Sequence, residues 1–339
     1  MLQGHGDDGY RYTNEIKADF STNVWYGGEP RGLKDHLFDH WERINRYPEV
    51  LAESLSQRAA QHHGVAPEQV LINSGTTESI YLIAQAYAGR KTTIVAPAFA
   101  EYEDACRMHH HQLTFLPWSQ LESLPHLPGD LVFICNPNNP TGAAFFQLAD
   151  WIARNPQTLF VVDEAFIDFT LALPTAIPLL AKYPNLLIMR SLTKTYAIPG
   201  LRLGYVVGQP PGIEKLKAVK QPWTVNTLAL EAGHFIFEHF AAIQPPIGQL
   251  LTDKDDFIKQ LSQREELRVY NSNTHFFLVE TRLGTAAQLK QFLVDQHSLL
   301  IRDARNFRGL GEGYFRVATL TLEKNALLIN ALTEWSQPR

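Results

Sequence analysis

Leu186-Leu187-Ile188-Met189-Arg190-Ser191-Leu192-Thr193-Lys194-Thr195-Tyr196-Ala197-Ile198-Pro199-Gly200-Leu201-Arg202-Leu203-Gly204-Tyr205-Val206-Val207 is the stretch on which the reading of this chain turns. The apolar runs at 186–189 and 205–207 read as buried strands. The polar segment between them starts at a strand end and sets Lys194 between two hydroxyls, Thr193 and Thr195, with Gly200-Leu201-Arg202 just beyond. A lysine so placed suits covalent catalysis. The planar guanidinium of Arg202, with Ser191 and Thr193, suits a phosphate, because its fork of donors matches phosphate oxygens two at a time. Taken alone, such a Lys/Arg pair is more often a solvated loop; the surrounding chain decides the matter.

Outward from this stretch, short apolar runs recur at 70–72, 93–96, 113–116, 131–135 and 159–162. They are uniformly apolar, as strands covered on both faces are. Helical patterns separate them: 51–63 stopped by Gly64, 80–88 before Gly89, 100–110, and one near 146–153. The fold class expected is α/β with a mostly parallel sheet. In such sheets ligands bind beyond the carboxyl ends of the strands. Five strand ends carry informative residues: Ser74-Gly75-Thr76-Thr77, Pro97-Ala98-Phe99, Asn136-Pro137-Asn138-Asn139, Asp163-Glu164-Ala165-Phe166 and the lysine segment. Together they offer what pyridoxal phosphate needs. Lys194 can take its aldehyde, Asp163 can keep the ring nitrogen protonated, Phe99 can stack on the ring and Asn139 can donate to the ring hydroxyl oxygen. The helix N-terminus at Gly75, Thr76 and Thr77 can share the phosphate with Ser191, Thr193 and Arg202.

With 339 residues, 45% hydrophobic and 19% charged, the chain can bury one large core and a smaller second one. A net charge of −5 leaves no basic footprint, so neither nucleic acid nor a membrane surface is an expected partner. Cys106 and Cys135 lie far apart and make no ligand pair, and the sequence suggests no metal site. His109-His110-His111 reads as a solvated helix end. Residues 1–8 lack the charged and apolar regions of a signal peptide, and no apolar run is long enough to span a membrane; a cytoplasmic location is expected.

Asn139-Pro140-Thr141-Gly142, Asp163-Glu164-Ala165 and the spacing from Ser191-x-x-Lys194 to Arg202 resemble the fold-type I, class I/II aminotransferases, over nearly the whole chain. Within that family the likeness is greatest to the threonine-phosphate decarboxylases. It rests on Asp19-Phe20-Ser21-Thr22-Asn23, Phe99-Ala100-Glu101-Tyr102, Pro222-Trp223-Thr224-Val225-Asn226, Leu300-Ile301-Arg302 and Tyr314-Phe315-Arg316-Val317-Ala318. The resemblance implies an aminotransferase-like large domain and a smaller α/β domain formed by the N-terminal arm and the C-terminal part. The implied division is an arm at 1–35, a cofactor-binding domain at 36–235 and a small domain at 236–339. Pyridoxal 5'-phosphate is the implied cofactor, with Lys194 its covalent anchor and Asp163 its pyridine partner. Asn139 is placed near ring and substrate. Tyr47 resembles the tyrosine that reaches the cofactor phosphate of a neighbouring subunit, which implies a homodimer with shared sites. His5, Gly6, Asn23, Asn139, Arg302 and Arg316 fall where the substrate, a phosphorylated amino acid, is bound.

The implied reaction is decarboxylation of L-threonine O-3-phosphate to (R)-1-amino-2-propanol O-2-phosphate, for cobalamin biosynthesis. Histidinol-phosphate aminotransferases share most of these motifs and usually carry tyrosine where this chain has Phe166, so transamination is the alternative. A non-catalytic, aminotransferase-like sensing module is a third reading. Substrate orientation selects between the reactions, because only the bond perpendicular to the conjugated ring can break. His5, Asn23, Arg302 and Arg316 are expected to tilt the carboxylate out of the ring plane. Arg305 and Arg308 depart from the decarboxylase pattern and are expected to bear on substrate choice.

Overall fold

In the computed structural model, which describes residues 6–13, 15–124 and 126–336, an irregular arm yields one short strand, β1 (Ala18–Asp19). Helices α1 (Leu33–Asp39) and α2 (Glu53–His63) follow, and Gly64 ends α2 at φ 65°, a conformation glycine adopts without strain. Strands and helices then follow in the order β2 (Val70–Asn73), α3 (Gly75–Ala86), β3 (Lys91–Ala96), α4 (Ala100–Met108), β4 (Gln112–Pro117), β5 (Leu131–Cys135), α5 (Leu148–Arg154), β6 (Leu159–Asp163), β7 (Leu186–Ser191) and β8 (Gly204–Gly208). Their bounds stay close to the stretches read from the sequence. Helices α6 (Pro210–Lys217) and α7 (Thr227–Glu238) complete this part.

Seven of these strands form one sheet in the order β2-β8-β7-β6-β5-β3-β4, in which β8 runs antiparallel to both its neighbours and the other pairings are parallel. The strands are apolar throughout because successive residues face two different cores. Val161 packs in the core with Ile80, Tyr102 and Ile213, from α3, α4 and α6. Its neighbour Val162 packs in the core with Leu55, Trp151 and Ile236, from α2, α5 and α7. Strand β4 departs from the expected double cover. It lies at the sheet edge, and its burial alternates along its length.

The expectation of a solvated histidine triplet also needs correction at its last member. His110 adopts φ 61° just after α4 and turns the chain inward. His111 is therefore buried, with Nδ1 on Thr92 Oγ1 (2.7 Å) and Nε2 on the carbonyl of Ala84 (2.8 Å).

The rest of the chain forms α8 (Ile247–Leu261), β9 (Leu267–Val269), β10 (Phe276–Thr281), α9 (Ala286–Phe292), β11 (Leu299–Leu300), β12 (Arg302–Asp303), β13 (Tyr314–Ala318) and α10 (Leu322–Trp335). An antiparallel sheet in the order β12-β13-β10-β9 shares a core with Phe257 of α8, Leu289 of α9 and Leu328 of α10. The arm belongs to this core. Strand β1 pairs parallel with β11, Phe20 is buried beside Phe257, and the Ala318 amide donates to the Phe20 carbonyl (3.0 Å). The α/β class with a large, mostly parallel sheet and a smaller unit that includes the arm is the architecture expected from the sequence. Among the described residues no helix is long and apolar enough to cross a membrane.

Candidate active site

The carboxyl ends of β2, β3, β5, β6 and β7 meet at one cavity, and the wall opposite them comes from the arm and from β12 and β13. Lys194, two residues beyond the Leu192 that follows β7, stands in the wall formed by the strand ends. Its carbonyl accepts from the Trp25 amide (2.9 Å), which ties the lysine loop to the arm. Burial, and then the charges of Arg316 and Arg202, lower the Lys194 amine to about 8, with Asp7 and Asp163 acting the other way.

Asp163 ends β6 and is buried. Its Oδ2 accepts from the Tyr102 hydroxyl (2.5 Å) and its Oδ1 from the Ala165 amide (2.8 Å). Burial raises its carboxyl above the usual range, while these two donors and Lys194 pull it back. Phe99, the residue before α4, forms part of the same wall, edge-on to Tyr102 with ring centroids 6.2 Å apart.

At the start of α3, Thr76 and Thr77 reach the cavity while Gly75 lies behind them. Gly75 has φ +77°, and a Cβ there would sit 2.4 Å from Arg202 Nη2, so the guanidinium packs into the space that the missing side chain leaves. Arg202 Nη1 donates to the Pro199 carbonyl (3.0 Å). Thr193 reaches the cavity, and Ser191 stands behind it, Oγ to Oγ1 at 2.8 Å. A helix N-terminus, hydroxyls and a guanidinium thus converge from two strand ends, a donor set that fits a phosphate.

The opposite wall brings Gly6, Asn23, Arg302 and Arg316 together. Arg302 and Arg316 stand directly opposite one another on β12 and β13, so both side chains leave the same face of the sheet. Arg316 donates through Nη1 to Asn139 Oδ1 (2.5 Å) and through Nη2 to the Ser21 carbonyl (2.6 Å). Arg302 donates to the Asp303 carbonyl and, through Nη2, to Asn306 Oδ1 (2.8 Å). Burial lowers Arg316 to about 9 and Arg302 to about 10; Arg302 adds its own repulsion to Arg316. Both remain cationic at neutral pH. Asn23 is buried with neither amide atom hydrogen-bonded, and its carbonyl accepts from His275 Nε2 (3.2 Å).

Four residues singled out from the sequence are not seen at this cavity. His5 lies outside the described residues. Tyr47 is 85% exposed, in a separate surface hollow beside Trp223, and does not reach this cavity within its own chain. Arg305 and Arg308 are not in the wall: Arg305 pairs with Asp303 (3.2 Å), and Arg308 pairs with Glu103 (2.8 Å) and covers the Phe115 ring. Conversely, Asp7, Ser21, Tyr102, Cys135 and Phe307 line the cavity although none of them was assigned a site role from the sequence. Tyr102 had a usable signal, because three residues after Phe99 it shares a helix face with it. Asp7, in an irregular arm, had none.

These residues fit pyridoxal phosphate: a phosphate cradle, a buried carboxylate with fixed donors, an aromatic ring and a readily deprotonated lysine face one cavity. A family model described as aminotransferase class I and II matches residues 17–332. The threonine-phosphate decarboxylase of Salmonella typhimurium is 35% identical over 328 residues, 93% of this chain and 90% of that one. A crystal structure of L-threonine-O-3-phosphate decarboxylase from Porphyromonas gingivalis is 37% identical, with a TM-score of 0.91, covering 93% of this chain and 98% of that chain. A histidinol-phosphate aminotransferase of Caldanaerobacter subterraneus is 27% identical over 303 residues, 86% of this chain and 84% of that one.

Proposed function

The chain belongs to the class I and II aminotransferase family, whose cofactor is pyridoxal 5'-phosphate, and from that premise we propose that it decarboxylates L-threonine O-3-phosphate to (R)-1-amino-2-propanol O-2-phosphate for cobalamin assembly. The observation that carries this reading is the pair Arg302 and Arg316, buried together in the cavity that holds Lys194 and Asp163. Two adjacent buried cations are costly unless anions reach them. A substrate bearing both a carboxylate and a phosphate supplies two such anions. The likeness to relatives named as threonine-phosphate decarboxylases supports the same choice.

When bound, the cofactor supplies an electron sink for the bonding pair released at the substrate α-carbon. Thr76, Thr77, Ser191, Thr193, Arg202 and the Gly75 turn would hold its phosphate, Lys194 would anchor it, and Phe99 and Asn139 would hold its ring. Asp163 would balance the charge on its ring nitrogen, its carboxylate form favoured by Tyr102 and the Ala165 amide against the effect of burial. Arg302, Arg316, Asn23, Gly6 and His5 hold the substrate's two anionic groups and so set the tilt of its carboxylate. After carbon dioxide departs, Lys194 Nζ gives a proton to the α-carbon and is reprotonated from solvent. Tyr47 completes the site of a second subunit in a homodimer. The arm at 1–35, the segment 36–235 and the segment 236–339 act as the three parts of each subunit, in a cytoplasmic protein.

Transamination of histidinol phosphate is the second reading, favoured by the 27% identical relative. Phe166 weighs against it, since an apolar ring packed edge-on against Phe276 (4.8 Å) stands where those enzymes usually place a phenol. The deciding experiment supplies O-phospho-L-threonine alone to the holoenzyme. Equal amounts of carbon dioxide and aminopropanol phosphate, with no oxo acid added, are expected. No release, with amino transfer from histidinol phosphate to 2-oxoglutarate, would overturn the reaction while keeping the cofactor site.

A further inference from the structure

Away from the cavity, His36 on α1, His40 at its C-terminal end and Glu231 on α7 bring their potential ligand atoms within 4.8 Å of one another. The two histidines are four residues apart, so their rings lie on one helix face, 4.3 Å between centroids. His40 Nδ1 lies 2.8 Å from the His36 carbonyl. A carbonyl can only accept, so Nδ1 carries a proton, and in the neutral ring Nε2 then keeps its lone pair. This outer bond is the kind that fixes a ligating histidine's tautomer and aim.

His36 Nε2 is buried without a hydrogen-bond partner and stands 3.5 Å from Glu231 Oε2. That separation is long for a hydrogen bond, yet it matches the edge of a tetrahedron built on metal–ligand bonds of about 2.1 Å, which is roughly 3.4 Å. The other carboxylate oxygen, Oε1, accepts from Arg43 Nη1 (2.5 Å), which orients the group and leaves Oε2 for His36. Glu231 is buried, so its charge is little screened, and the C-terminal end of α1 adds a favourable dipole for a cation. Two neutral imidazoles and one carboxylate are a donor set for a borderline divalent transition metal rather than for calcium or magnesium.

We propose that His36, His40 and Glu231 bind a zinc-class divalent cation that clips α1 to α7. The sequence had suggested no metal, because Glu231 lies far along the chain and only the packing of α1 on α7 brings it to the histidine pair. None of the three residues lines the Lys194 cavity, so the ion's role is to hold the fold rather than to take part in the chemistry.

The test is calorimetric titration of chelator-treated, untagged holoenzyme with zinc chloride. One equivalent per chain is expected, together with a rise in Tm on adding zinc. His36→Gln and His40→Gln should each weaken that equivalent at least about a hundredfold and abolish the Tm rise, while cofactor absorbance and turnover stay unchanged. Should His36→Gln fail to fold, His40→Gln, half-buried at the helix end, decides alone. Absence of zinc binding in the wild type, or an equivalent that survives His40→Gln at full affinity, overturns the proposal. The second outcome would assign the ion to other histidines.

Discussion

Tyr102 donates its hydroxyl proton to Asp163 Oδ2 at 2.5 Å on the floor of the cavity, both side chains buried. Of the influences that lower the Asp163 carboxyl against the effect of burial, this bond is the largest. Tyr102→Phe removes it and leaves the ring in place. A hydrogen bond to a charged group contributes about 1.5–3 kcal/mol, so kcat should fall at least about tenfold with cofactor content retained. The sign of the pH effect follows. A carboxyl raised further loses its charge at higher pH, so the acid limb of the kcat profile should move upward. A variant with wild-type kcat and an unmoved acid limb would remove Tyr102 from this role.

Lys194 at about 8 gives a second pH dependence. Only the neutral amine can add to an aldehyde, and for a base the neutral fraction grows as pH rises. Recovery of activity when cofactor is added back to stripped protein should therefore accelerate from pH 6 to about 8 and level off above it. An amine at the ordinary lysine value would keep accelerating beyond pH 9. Lys194→Ala should abolish turnover and release its cofactor on gel filtration.

The cavity was legible in the sequence wherever a strand carried it. An apolar run has an end, and in a parallel sheet that end is where ligands sit; Thr76, Phe99, Asn139, Asp163 and Lys194 were found that way. The second wall was harder. Arg302 and Arg316 came from resemblance, because a lone arginine beside a short strand does not reveal that its register partner is another arginine. The sequence showed no role for Asp7 and Ser21, since the arm is held at the cavity by long-range contacts, among them the pairing of β1 with β11 and the bond between Lys290 and Asp8. Arg308 stands outside the cavity for a physical reason: Glu103 on α4 pairs with it. Tyr47 gives no signal within a single chain, because an exposed tyrosine reads alike on a free surface and at a subunit contact.

Gly75→Ala tests the phosphate cradle. The new Cβ would meet Arg202 Nη2 at 2.4 Å with the backbone at φ +77°. The left-handed conformation costs a residue with a side chain about 1–2 kcal/mol, and Arg202 must also swing away. Cofactor dissociation should rise at least about tenfold while kcat at saturating cofactor changes less. Unchanged cofactor affinity would show that Arg202 is not needed for the phosphate.

Arg316→Ala should separate substrate from cofactor. Arg316 touches Asn139 and the Ser21 carbonyl and no residue of the phosphate cradle. Truncating one partner of a buried charged pair costs about 2–5 kcal/mol, so kcat/KM should fall at least about thirtyfold with the cofactor absorbance unaltered. Loss of the cofactor instead would place Arg316 in the wrong half of the site.

Lys290 should influence substrate affinity from outside the cavity. Its Nζ bonds both oxygens of Asp8, at 2.8 and 2.7 Å, and both side chains are largely buried. Asp8 immediately follows Gly6 and Asp7, which line the cavity, and the Asp7 amide is fixed to Ser21 Oγ (2.8 Å). Lys290 thus fastens the arm to α9 at the point where it enters the site. Even an exposed ion pair contributes up to about 1 kcal/mol, and this one is largely buried, so Lys290→Ala should raise KM for O-phospho-L-threonine at least about fivefold and leave kcat nearly unchanged. Salt screens a largely buried ion pair only weakly, so raising ionic strength should leave the wild-type KM well below that of the variant. Equal KM values at low salt would mean that the arm holds its place without this contact.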